Sequence, residues 1–412
     1  FCFILEIKRK PQYALSGRTV RIQIDTHGEI WYDEVSDSTE DMRMYIVVTD
    51  CEYRAAVSLV QALGEAGHTL ILCHSRDMAI DPPAFHSRYA AACHEIDAKV
   101  GEPAYLDALE AICRACPEIP TTALIAHEQA RFDRFAKTLV APADVLDAAN
   151  DKETVQRVAA GIGVPTPKTY TGTPDTFPVI VKPRCGEKLG LKAEKRYARA
   201  DNAAEFAAVY AKMKVYDDTP VVQAYIAGEG VGVCAVLDKD GNPAAVLCHR
   251  RVREYPTSGG PSTCCESFYD ETLVDHALRL LRALHFVGVA MVEFKGNPKD
   301  GYKLLEINPR VWGSFPMTLA AGSHFAEVWA RAAAGERFAM PDTDYVRGKR
   351  MFFLLNDAAA CLSLLKKGRI GAALGGLRDQ LSPRVCEALR RRGDPKPFRV
   401  YLKSALKRGR HA

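Results

Sequence analysis

The alternation of short apolar runs with helical patterns between Tyr45 and about residue 138 constrains the fold more than any other feature. Strands are predicted at 45–49, 69–73 and 121–126, and helices at about 53–66, 103–115 and 127–138. Strands separated by helices of this length form a parallel sheet that helices cover. The first turn, Thr49–Tyr53, contains no glycine, so a glycine-rich dinucleotide-binding turn is not indicated. We therefore expect an N-terminal doubly wound α/β domain.

The pattern changes near residues 140–150, where closely spaced strands replace the alternation. After a helix at about 151–162, strands are predicted at 178–183, 220–226, 230–237, 244–252, 287–295 and 302–308, and helices near 201–213, 270–285 and 324–334. Such hairpin-rich stretches are typical of an α+β region. The expected domains are an N-terminal extension at 1–41, an α/β domain at 42–145, an α+β domain at 146–340 and a small, basic, mostly helical C-terminal appendage at 341–412.

Composition excludes several classes of protein. The 412 residues are 48% hydrophobic and 26% charged, which is ordinary for a globular chain. Charged residues break every apolar run before the roughly 18 residues that a membrane span needs. The 13 cysteines are scattered, and the C-x-x-C pair Cys113 and Cys116 has no second pair to complete a zinc site. We therefore expect a reduced, cytoplasmic setting.

Positive charge is concentrated at the C-terminal end. Residues 361–412 contain 14 Lys or Arg and three acids, whereas the whole chain has a net charge of +4. On a helix over 398–408, apolar side chains form one stripe: Phe398, Tyr401, Leu402, Ala405 and Leu406. The stripe could lie weakly on an anionic membrane surface or pack on the acidic body of the protein. Without a recognised nucleic-acid motif, no nucleic-acid partner is expected.

The segment 291–310 carries the most specific chemistry. Two β-rich runs flank a turn with Asn-Pro and Asp-Gly, which predicts an antiparallel hairpin. Glu306 and Asn308 share one strand face, and a register in which paired residue numbers sum to about 599 places Glu293 opposite Glu306. Two facing carboxylates repel each other without a cation. These three oxygen donors suit Mg²⁺ that substrate phosphates also hold; an exposed polar face is the alternative.

Lysines and glycines upstream could bind phosphates. Lys182 ends a buried strand and opens the loop 183–192, whose two glycines and further cations could enclose phosphate groups. Lys152 follows the change of domain and is a weaker candidate. Either lysine could instead be merely solvated.

Two further segments could contact a nucleotide or an anion. Backbone groups at 224–226 could bind a purine edge, and Glu229 could accept hydrogen bonds from ribose hydroxyls, although an ordinary tight turn explains the same pattern. Arg250 and Arg251 point to opposite faces of a strand, so at most one of them serves a given site. The loop 257–263 could hold an anion through backbone N–H groups.

The order of these segments resembles the ATP-grasp superfamily over about residues 44–335, and is similar to the ATP-grasp domains of biotin carboxylase and carbamoyl-phosphate synthase. The residues that carry the resemblance are Lys152, Lys182-Pro183, the glycine loop, Gln223-Ala224-Tyr225-Ile226, Arg250, Glu293 and Glu306-Ile307-Asn308-Pro309-Arg310. The resemblance implies a two-subdomain fold that holds ATP with Mg²⁺ or Mn²⁺. The loop at 185–190 has fewer glycines and serines than the family pattern, and Gln223 replaces a common Glu.

The resemblance also implies roles for individual residues. Lys152 and Lys182 would contact phosphates, while Gln223, Tyr225 and Ile226 would contact adenine and Glu229 the ribose. Metal ligands would be Glu293, Glu306 and Asn308. Arg310 and Arg250 would be catalytic, stabilising charge on the transferring phosphoryl group.

The implied function is that of an ATP-dependent ligase. It would phosphorylate a carboxylate to an acyl phosphate, which an amine then attacks to give an amide. The expected partners are therefore a small-molecule carboxylate and an amine; a homodimer is left open. The alternatives are a bicarbonate-activating enzyme of the biotin-carboxylase or carbamoyl-phosphate type, and a catalytically silent ATP-binding protein.

Overall fold

The computed structural model describes residues 43–78, 80–100, 102–115, 129–132, 137–185, 197–257 and 259–408, with the backbone of two earlier strands. Those strands, β1 (Val20–Ile24) and β2 (Ile30–Glu34), pair antiparallel inside the predicted extension. The predicted strand at 121–126 and most of the helix predicted at 127–138 lie outside the described residues. Within the described part, no helix has the length and apolar content to cross a membrane.

The N-terminal region contains a parallel sheet with helices on both faces. Its strands are β3 (Tyr45–Val48), β4 (Thr69–Ser75) and β5 (Ala90–Ile96), paired in that order. Helix α1 (Arg54–Glu65) shares one buried cluster with Ile46 and Val48. Helix α2 (Pro103–Ala115) shares another with Val47. Alternate residues of one strand thus face different helices, as the doubly wound prediction requires.

A small antiparallel sheet follows helices α3 (Ala143–Asn150) and α4 (Lys152–Gly161). Its strands, in spatial order, are β6 (Thr169–Tyr170), β9 (Val221–Ala224), β7 (Val179–Lys182) and β8 (Ala198–Ala200). Helix α5 (Ala203–Lys214) packs on this sheet through Phe206 and Met213, which are buried with Val179 and Val181. This sheet therefore has a core separate from that of the rest of the molecule.

The largest sheet has seven strands and supplies most of the core. In spatial order they are β14 (Gly301–Asn308), β13 (Gly288–Asn297), β10 (Glu229–Leu237), β11 (Pro243–Glu254), β12 (Ser262–Phe268), β15 (Arg350–Phe352) and β16 (Cys386–Glu387). The helices that accompany it are α6 (Glu271–Ala283), α7 (Pro316–Ala320) and α8 (Phe325–Ala334). Its two faces bury different clusters.

The C-terminal region is more than a helical appendage. Besides α9 (Leu354–Lys366), α10 (Ile370–Leu381) and α11 (Lys396–Arg408), it contributes β15 and β16 to the seven-stranded sheet. Sequence analysis missed both strands because they are two and three residues long and lack an alternating pattern. The region is therefore continuous with the main core.

The basic tail packs on the N-terminal region. Phe398 and Tyr401 lie against the main hydrophobic cluster. Just before α11, the buried Asp394 carboxylate accepts hydrogen bonds from Ser87 Oγ (2.7 Å) and the Arg88 N–H (2.9 Å). Of the two interpretations of the apolar stripe, packing on the body is therefore correct, and the membrane-surface contact proposed for it is not supported.

Candidate active site

A cavity of about 530 Å³ lies between the four-stranded and seven-stranded sheets. Strands β7 and β9 line one side, while β10, β11, β13 and β14 line the other. Tyr197 closes part of the opening, since its hydroxyl donates to the Gly259 carbonyl at 2.9 Å across the two sides. Most of the sequence-predicted site residues meet in this cavity.

The hairpin of β13 and β14 places the carboxylates as the sequence register predicts. Glu293 pairs directly with Glu306, and Met291 with Asn308, both sums being 599. The register shifts by one residue immediately after Glu293. Asn308 Nδ2 donates to Glu293 Oε1 at 3.2 Å, so these three side chains share the cavity face.

Helix α4 brings the two lysines together. Asp151 caps this helix by accepting from the Glu153 and Thr154 N–H groups, and also accepts from Arg184 Nη2 at 2.7 Å. Because Arg184 closely follows Lys182, this link holds the start of α4 beside the end of β7. Lys152 Nζ then lies 3.1 Å from Glu306 Oε2, and Lys182 Nζ lies 3.5 Å from the Leu305 carbonyl oxygen.

Burial and charge shift the pKa values of these groups in opposite directions. Burial, together with the like charge of Lys152, lowers the pKa of Lys182 to about 8. Burial alone would raise the pKa of Glu306, but Lys152 and Lys182 outweigh it and bring the pKa to about 2. Burial raises the pKa of Glu293, and the nearby Glu306 charge adds to the shift. The site is thus a compact cluster of opposed charges.

The donor set fits Mg²⁺ that a ligand also coordinates. Glu293, Glu306 and Asn308 present carboxylate and amide oxygens from rigid strands, which Mg²⁺ prefers. Because the proximity of Glu306 disfavours the ionised form of Glu293, a cation between them would relieve that repulsion. Among the described residues, no group of three or more His, Cys, Asp or Glu side chains is arranged to hold a metal. Phosphate oxygens or water would therefore have to complete the coordination.

The segment at the end of β9 lines the other end of the cavity. Gln223 is buried, and its Nε2 donates to Thr169 Oγ1 at 3.2 Å. The central carbon of the Arg199 guanidinium lies over the Tyr225 ring, 4.3 Å from the ring centroid. The N–H groups of Ala224 and Tyr225 already donate to Lys168 and Pro178. Ile226 also lines the cavity, so its N–H group is the one that could serve a ligand.

Two predicted residues, Arg250 and Glu229, lie on the opposite face of the large sheet. Arg250 Nε donates to Glu266 at 3.1 Å, and Glu229 accepts from the Tyr302 hydroxyl at 2.6 Å. Neither side chain lines the cavity. The physical reason is strand alternation: Glu229 and Arg250 share the face of Val231 and Cys248, which are buried in the second core cluster.

The arginine of this strand that lines the cavity is Arg251, whereas the sequence analysis had assigned the catalytic role to Arg250. Arg251 Nη2 donates to Glu293 Oε2 at 2.6 Å, and its Nη1 donates to the Gly260 carbonyl at 3.3 Å. The Glu293 carboxylate is therefore paired with an arginine, whereas Glu306 is paired with a lysine. Arg310 completes this side, with its Nη2 donating to Asn308 Oδ1 at 3.2 Å.

Sequence analysis missed Arg54, which enters the cavity from the N-terminal region. Its guanidinium lies 3.9 Å above the Phe353 ring, and its Nη1 donates to Asn356 Oδ1 at 3.4 Å. Arg54 begins α1, which has no acid in its first turn. A cation there opposes the helix dipole, and this unfavourable placement was the local signal available in the sequence.

A buried polar pair, also missed, lies on the cavity wall near Arg251. His249 Nε2 is 2.8 Å from Ser314 Oγ, and both residues line the cavity. Burial, with a smaller effect of Arg251, lowers the pKa of His249 to about 4. The imidazole is therefore neutral at pH 7 and shares a hydrogen bond with the Ser314 hydroxyl. Neighbouring serine and histidine residues 65 positions apart give no recognisable sequence pattern.

Of the two loops predicted to bind anions, the structure describes only the second in most of its length. Residues 186–192 of the predicted phosphate loop lie outside the described residues. Of the loop 257–263, Gly259, Gly260, Pro261 and Ser262 line the cavity. Thr257 Oγ1 accepts from Lys367 Nζ at 2.6 Å, which ties this loop to the C-terminal region.

A family model matches part of the chain that forms this arrangement. The model described as "ATP-grasp in the biosynthetic pathway with Ter operon" matches residues 217–351, which include the facing carboxylates, Arg251 and Arg310. The match spans 135 of the 412 residues, so this segment resembles ATP-grasp proteins. The match covers β10 to β14 and so coincides with the side of the cavity that presents the predicted metal ligands.

Relatives and solved structures agree with this assignment. The chain is 26% identical over 244 residues to the carbamoyl phosphate synthase large chain of Agathobacter rectalis, covering 53% of this chain and 22% of that protein. Biotin carboxylase from Campylobacter jejuni has the same fold, with a TM-score of 0.56, 18% identity and 74% coverage of each chain. L-amino acid ligase from Bacillus licheniformis gives a TM-score of 0.51 and 16% identity, covering 69% of this chain and 73% of that one.

Proposed function

We propose that this protein is an ATP-dependent ligase that joins a small carboxylate to an amine. The observation that carries the proposal is the cluster at one end of the cavity, where facing Glu293 and Glu306 meet Lys152, Lys182 and Arg310. Carboxylates for a divalent cation beside lysines for phosphates form a site for a metal–nucleotide complex. The cavity volume of about 530 Å³ is within the usual range for ligand pockets.

ATP would lie along the cavity with its base at the β9 end. The Ile226 N–H group donates to the purine edge, since the two preceding N–H groups are already used. Gln223, fixed by Thr169, lies beside the base. Lys182, at the end of β7, and Lys152, at the start of α4, contact the phosphates. Glu229 faces away from the cavity, so the ribose contact predicted for it is not part of the proposal.

The metal would be held by Glu293, Glu306 and Asn308. Bound there, Mg²⁺ neutralises phosphate charge and orients the terminal phosphoryl group. The carboxylates are now paired with Arg251 and Lys152. Binding of Mg·ATP therefore requires these cations to move from the carboxylates toward the phosphates.

The protein would accelerate phosphoryl transfer by positioning and charge stabilisation. A carboxylate oxygen of the substrate attacks the γ-phosphorus, the bond from phosphorus to the β–γ bridging oxygen breaks, and ADP leaves. Arg251 and Arg310 stabilise the transferring group. The amine then attacks the acyl carbon, inorganic phosphate leaves with the former carboxylate oxygen, and the amine proton passes to solvent. No protein nucleophile is required.

The substrate carboxylate would enter beside Arg54. This arginine lines the cavity together with Trp312 and Ser314. Trp312 Nε1 is buried and, among the described residues, has no hydrogen-bond partner. Phe353 and Asn356 orient the guanidinium, so the substrate side of the cavity includes parts of the N-terminal and C-terminal regions.

A hydroxylamine trap tests the proposed reaction. Purified protein is incubated with Mg·ATP, mixed amino acids and hydroxylamine, and hydroxamates and phosphate are measured. We expect ATP-dependent hydroxamate formation, because hydroxylamine captures an acyl phosphate. Tight ATP binding without any turnover across carboxylate and amine libraries would instead identify a catalytically silent ATP-binding protein.

Bicarbonate activation is the second candidate function. One sequence relative is a carbamoyl phosphate synthase large chain and one structural neighbour is a biotin carboxylase; another neighbour, a carboxylase domain from Hydrogenobacter thermophilus, was solved with bicarbonate. A parallel reaction with bicarbonate as the only carboxylate separates the two. Phosphate release that requires bicarbonate and no organic acid would favour this candidate.

A further inference from the structure

A β-bulge near the end of β11 turns Glu254 into the cavity. Arg251 of this strand pairs with Cys265 of β12. Two residues later, Arg253 pairs with Cys264, only one residue further along β12. The extra residue in β11 shifts the alternation of faces beyond it. Arg251 and Glu254 therefore both line the cavity, although residues three apart in an uninterrupted strand face opposite sides of the sheet.

The same bulge points Arg253 away from the cavity. Its guanidinium donates to Asp357 at 2.9 Å and to Asp379 at 2.6 Å. These two acids belong to the hairpin of α9 and α10, which we call the C-terminal hairpin. Two neighbouring charged residues of β11 thus have different surroundings: Arg253 is held by the body of the protein, and Glu254 faces the cavity.

The Glu254 carboxylate makes no hydrogen bond to another described residue. The nearest cation among those residues is Arg251, whose Nη1 lies 4.0 Å from Glu254 Oε2, beyond hydrogen-bond distance. Glu293 and Glu306, the other two acids among the described residues that line the cavity, each have a closer cation, at 2.6 and 3.1 Å. The Glu254 side chain is only 27% exposed. A largely buried charge without a close partner is unfavourable, so a cationic ligand would stabilise it.

The cavity as a whole is cationic. Six lysine or arginine side chains of the described residues line it, against three acids. The phosphates of ATP and the substrate carboxylate would pair with the cations, and the metal would pair with Glu293 and Glu306. An amine is mostly an ammonium ion at pH 7, and a positive cavity repels it. Glu254 is the acid that remains to offset this repulsion.

Arg251 connects Glu254 with the proposed metal site. Its Nη2 donates to Glu293 Oε2 at 2.6 Å, while its Nη1 faces Glu254. A ligand bound to Glu254 would therefore lie next to the phosphoryl group that Arg251 is proposed to stabilise. Glu254 also lies near Tyr197, which closes part of the opening: burial raises the pKa of the Tyr197 hydroxyl, and the Glu254 charge adds to the shift. Glu254 thus lies between the proposed reaction centre and the opening.

We propose that Glu254 binds the ammonium group of the amine substrate and so selects cationic amines over neutral nucleophiles. This inference rests on the ligase function proposed above. The ammonium group donates hydrogen bonds to the Glu254 carboxylate oxygens and lies beside Arg251, where the acyl phosphate forms. Glu254 contacts neither ATP nor the metal, so it acts on the second substrate and not on the transfer of the phosphoryl group.

A comparison of two nucleophiles tests this role. A carboxylate that yields hydroxamate is incubated with Mg·ATP at pH 7 and either hydroxylamine, which is mostly uncharged, or a cationic amine from a panel of the amino acids and putrescine. In Glu254→Gln, we expect the ratio of amide to hydroxamate to fall by about 10–100-fold, because hydrogen bonds between charged groups are lost. Glu254→Asp, which keeps the charge, should recover part of the ratio. Glu271→Gln, at an exposed position in the first turn of α6, is the matched control and should keep the wild-type ratio.

Saturation-transfer NMR of the same amines with the Mg·ADP complex measures binding without turnover. At least one amine should bind the wild type and Glu271→Gln, and its affinity should be about 10–100-fold lower in Glu254→Gln.

The outcomes separate this inference from the ligase function. Absence of hydroxamate with the wild type would refute the ligase function, and the NMR measurement would still decide the role of Glu254. Equal amine binding by the wild type and Glu254→Gln, or no binding of any amine, would overturn the inference. So would a loss of ATP affinity of about tenfold or more in calorimetry of Glu254→Gln, because Glu254 would then contact the nucleotide.

Discussion

At the scale of single residues, Glu306 is the group whose chemistry the account depends on most. It faces Glu293 across the hairpin and is paired with Lys152 at 3.1 Å. Replacement by Gln keeps the size but removes a charge from the proposed metal site, so ATP turnover should fall by at least about 10²-fold. Asp300→Asn, an exposed change in the turn of the same hairpin, is the matched control and should keep full turnover.

The same variant separates a metal role from a structural one. If Glu306 helps to hold Mg²⁺, the apparent Mg²⁺ requirement should shift to higher concentration while the melting temperature changes little. Normal turnover by Glu306→Gln at saturating Mg·ATP would contradict the assignment.

Lys182 predicts a pH dependence of nucleotide binding. The protonated ammonium is the form that attracts phosphate, and burial lowers its pKa to about 8 in the free protein. Affinity should therefore be constant from pH 7 to about 8 and then be lost, by up to tenfold per pH unit, as pH rises further. Calorimetric titration with Mg·ATP from pH 7 to 9.5 measures this; a flat profile would exclude Lys182 as a phosphate contact. Lys182→Arg should flatten the profile, since arginine stays charged.

The adjacent arginines provide a paired test of strand alternation. Arg251 touches Glu293 inside the cavity, whereas Arg250 pairs with Glu266 on the opposite face. Arg251→Gln should lower kcat by about 10²–10³-fold, and Arg250→Gln should leave kcat nearly unchanged. The reverse order in steady-state assays would show that the catalytic arginine is the one the sequence first suggested.

These residues show what sequence could and could not predict. The two-residue period of strands gave the pairing of Glu293 with Glu306 and warned that only one of Arg250 and Arg251 serves the site. It could not say which, because that depends on which face of β11 is turned toward the cavity. The unfavourable position of Arg54 at the start of α1 was visible in the sequence, but its place in the cavity was not, because packing against Phe353, about 300 residues later, brings it there.

At the scale of elements, a buried ion-pair network fastens the C-terminal hairpin to the large sheet. Arg253 donates to Asp357 at 2.9 Å through Nε and Nη2, and Thr263 Oγ1 also donates to Asp357 at 2.8 Å. Asp357→Ala would remove one carboxylate partner of the buried Arg253 guanidinium. We expect the free energy of unfolding to fall by about 3–5 kcal/mol. Urea unfolding measures the loss.

An exposed ion pair provides the control for that measurement. Arg199 and Asp201 pair at the surface, with side chains about half exposed. Asp201→Asn should cost about 0–1 kcal/mol. Equal losses for Asp357→Ala and Asp201→Asn would show that the buried network does not hold the hairpin in place.

Element by element, long periodic segments were predicted better than short ones. Helix α2 has the predicted bounds, and β13 and β14 agree within two residues at each end. Strand β5 was missed because Ala90–Ile96 alternates between partly buried and exposed positions without strong apolar residues. Strands β15 and β16 are created by tertiary pairing with β12 and with each other, a constraint absent from local sequence.

At the scale of the whole molecule, three regions converge on one cavity. The N-terminal region supplies Arg54, and helix α4 and the two sheets of the central region supply the lysines and carboxylates. The C-terminal region orients Arg54 through Phe353 and Asn356. The central region alone would therefore lack one wall of the proposed substrate site. This convergence explains why the C-terminal region cannot be treated as a detachable tail.

The central claim is that the protein cleaves ATP between the β- and γ-phosphates to activate a carboxylate. Phosphorus NMR of a reaction with Mg·ATP, a carboxylate that yields hydroxamate, and an amine tests it most directly. The account predicts ADP and inorganic phosphate in equal amounts, matched by the amide formed and absent with Glu306→Gln. Formation of AMP and pyrophosphate would contradict it, because the carboxylate would then have been adenylated rather than phosphorylated.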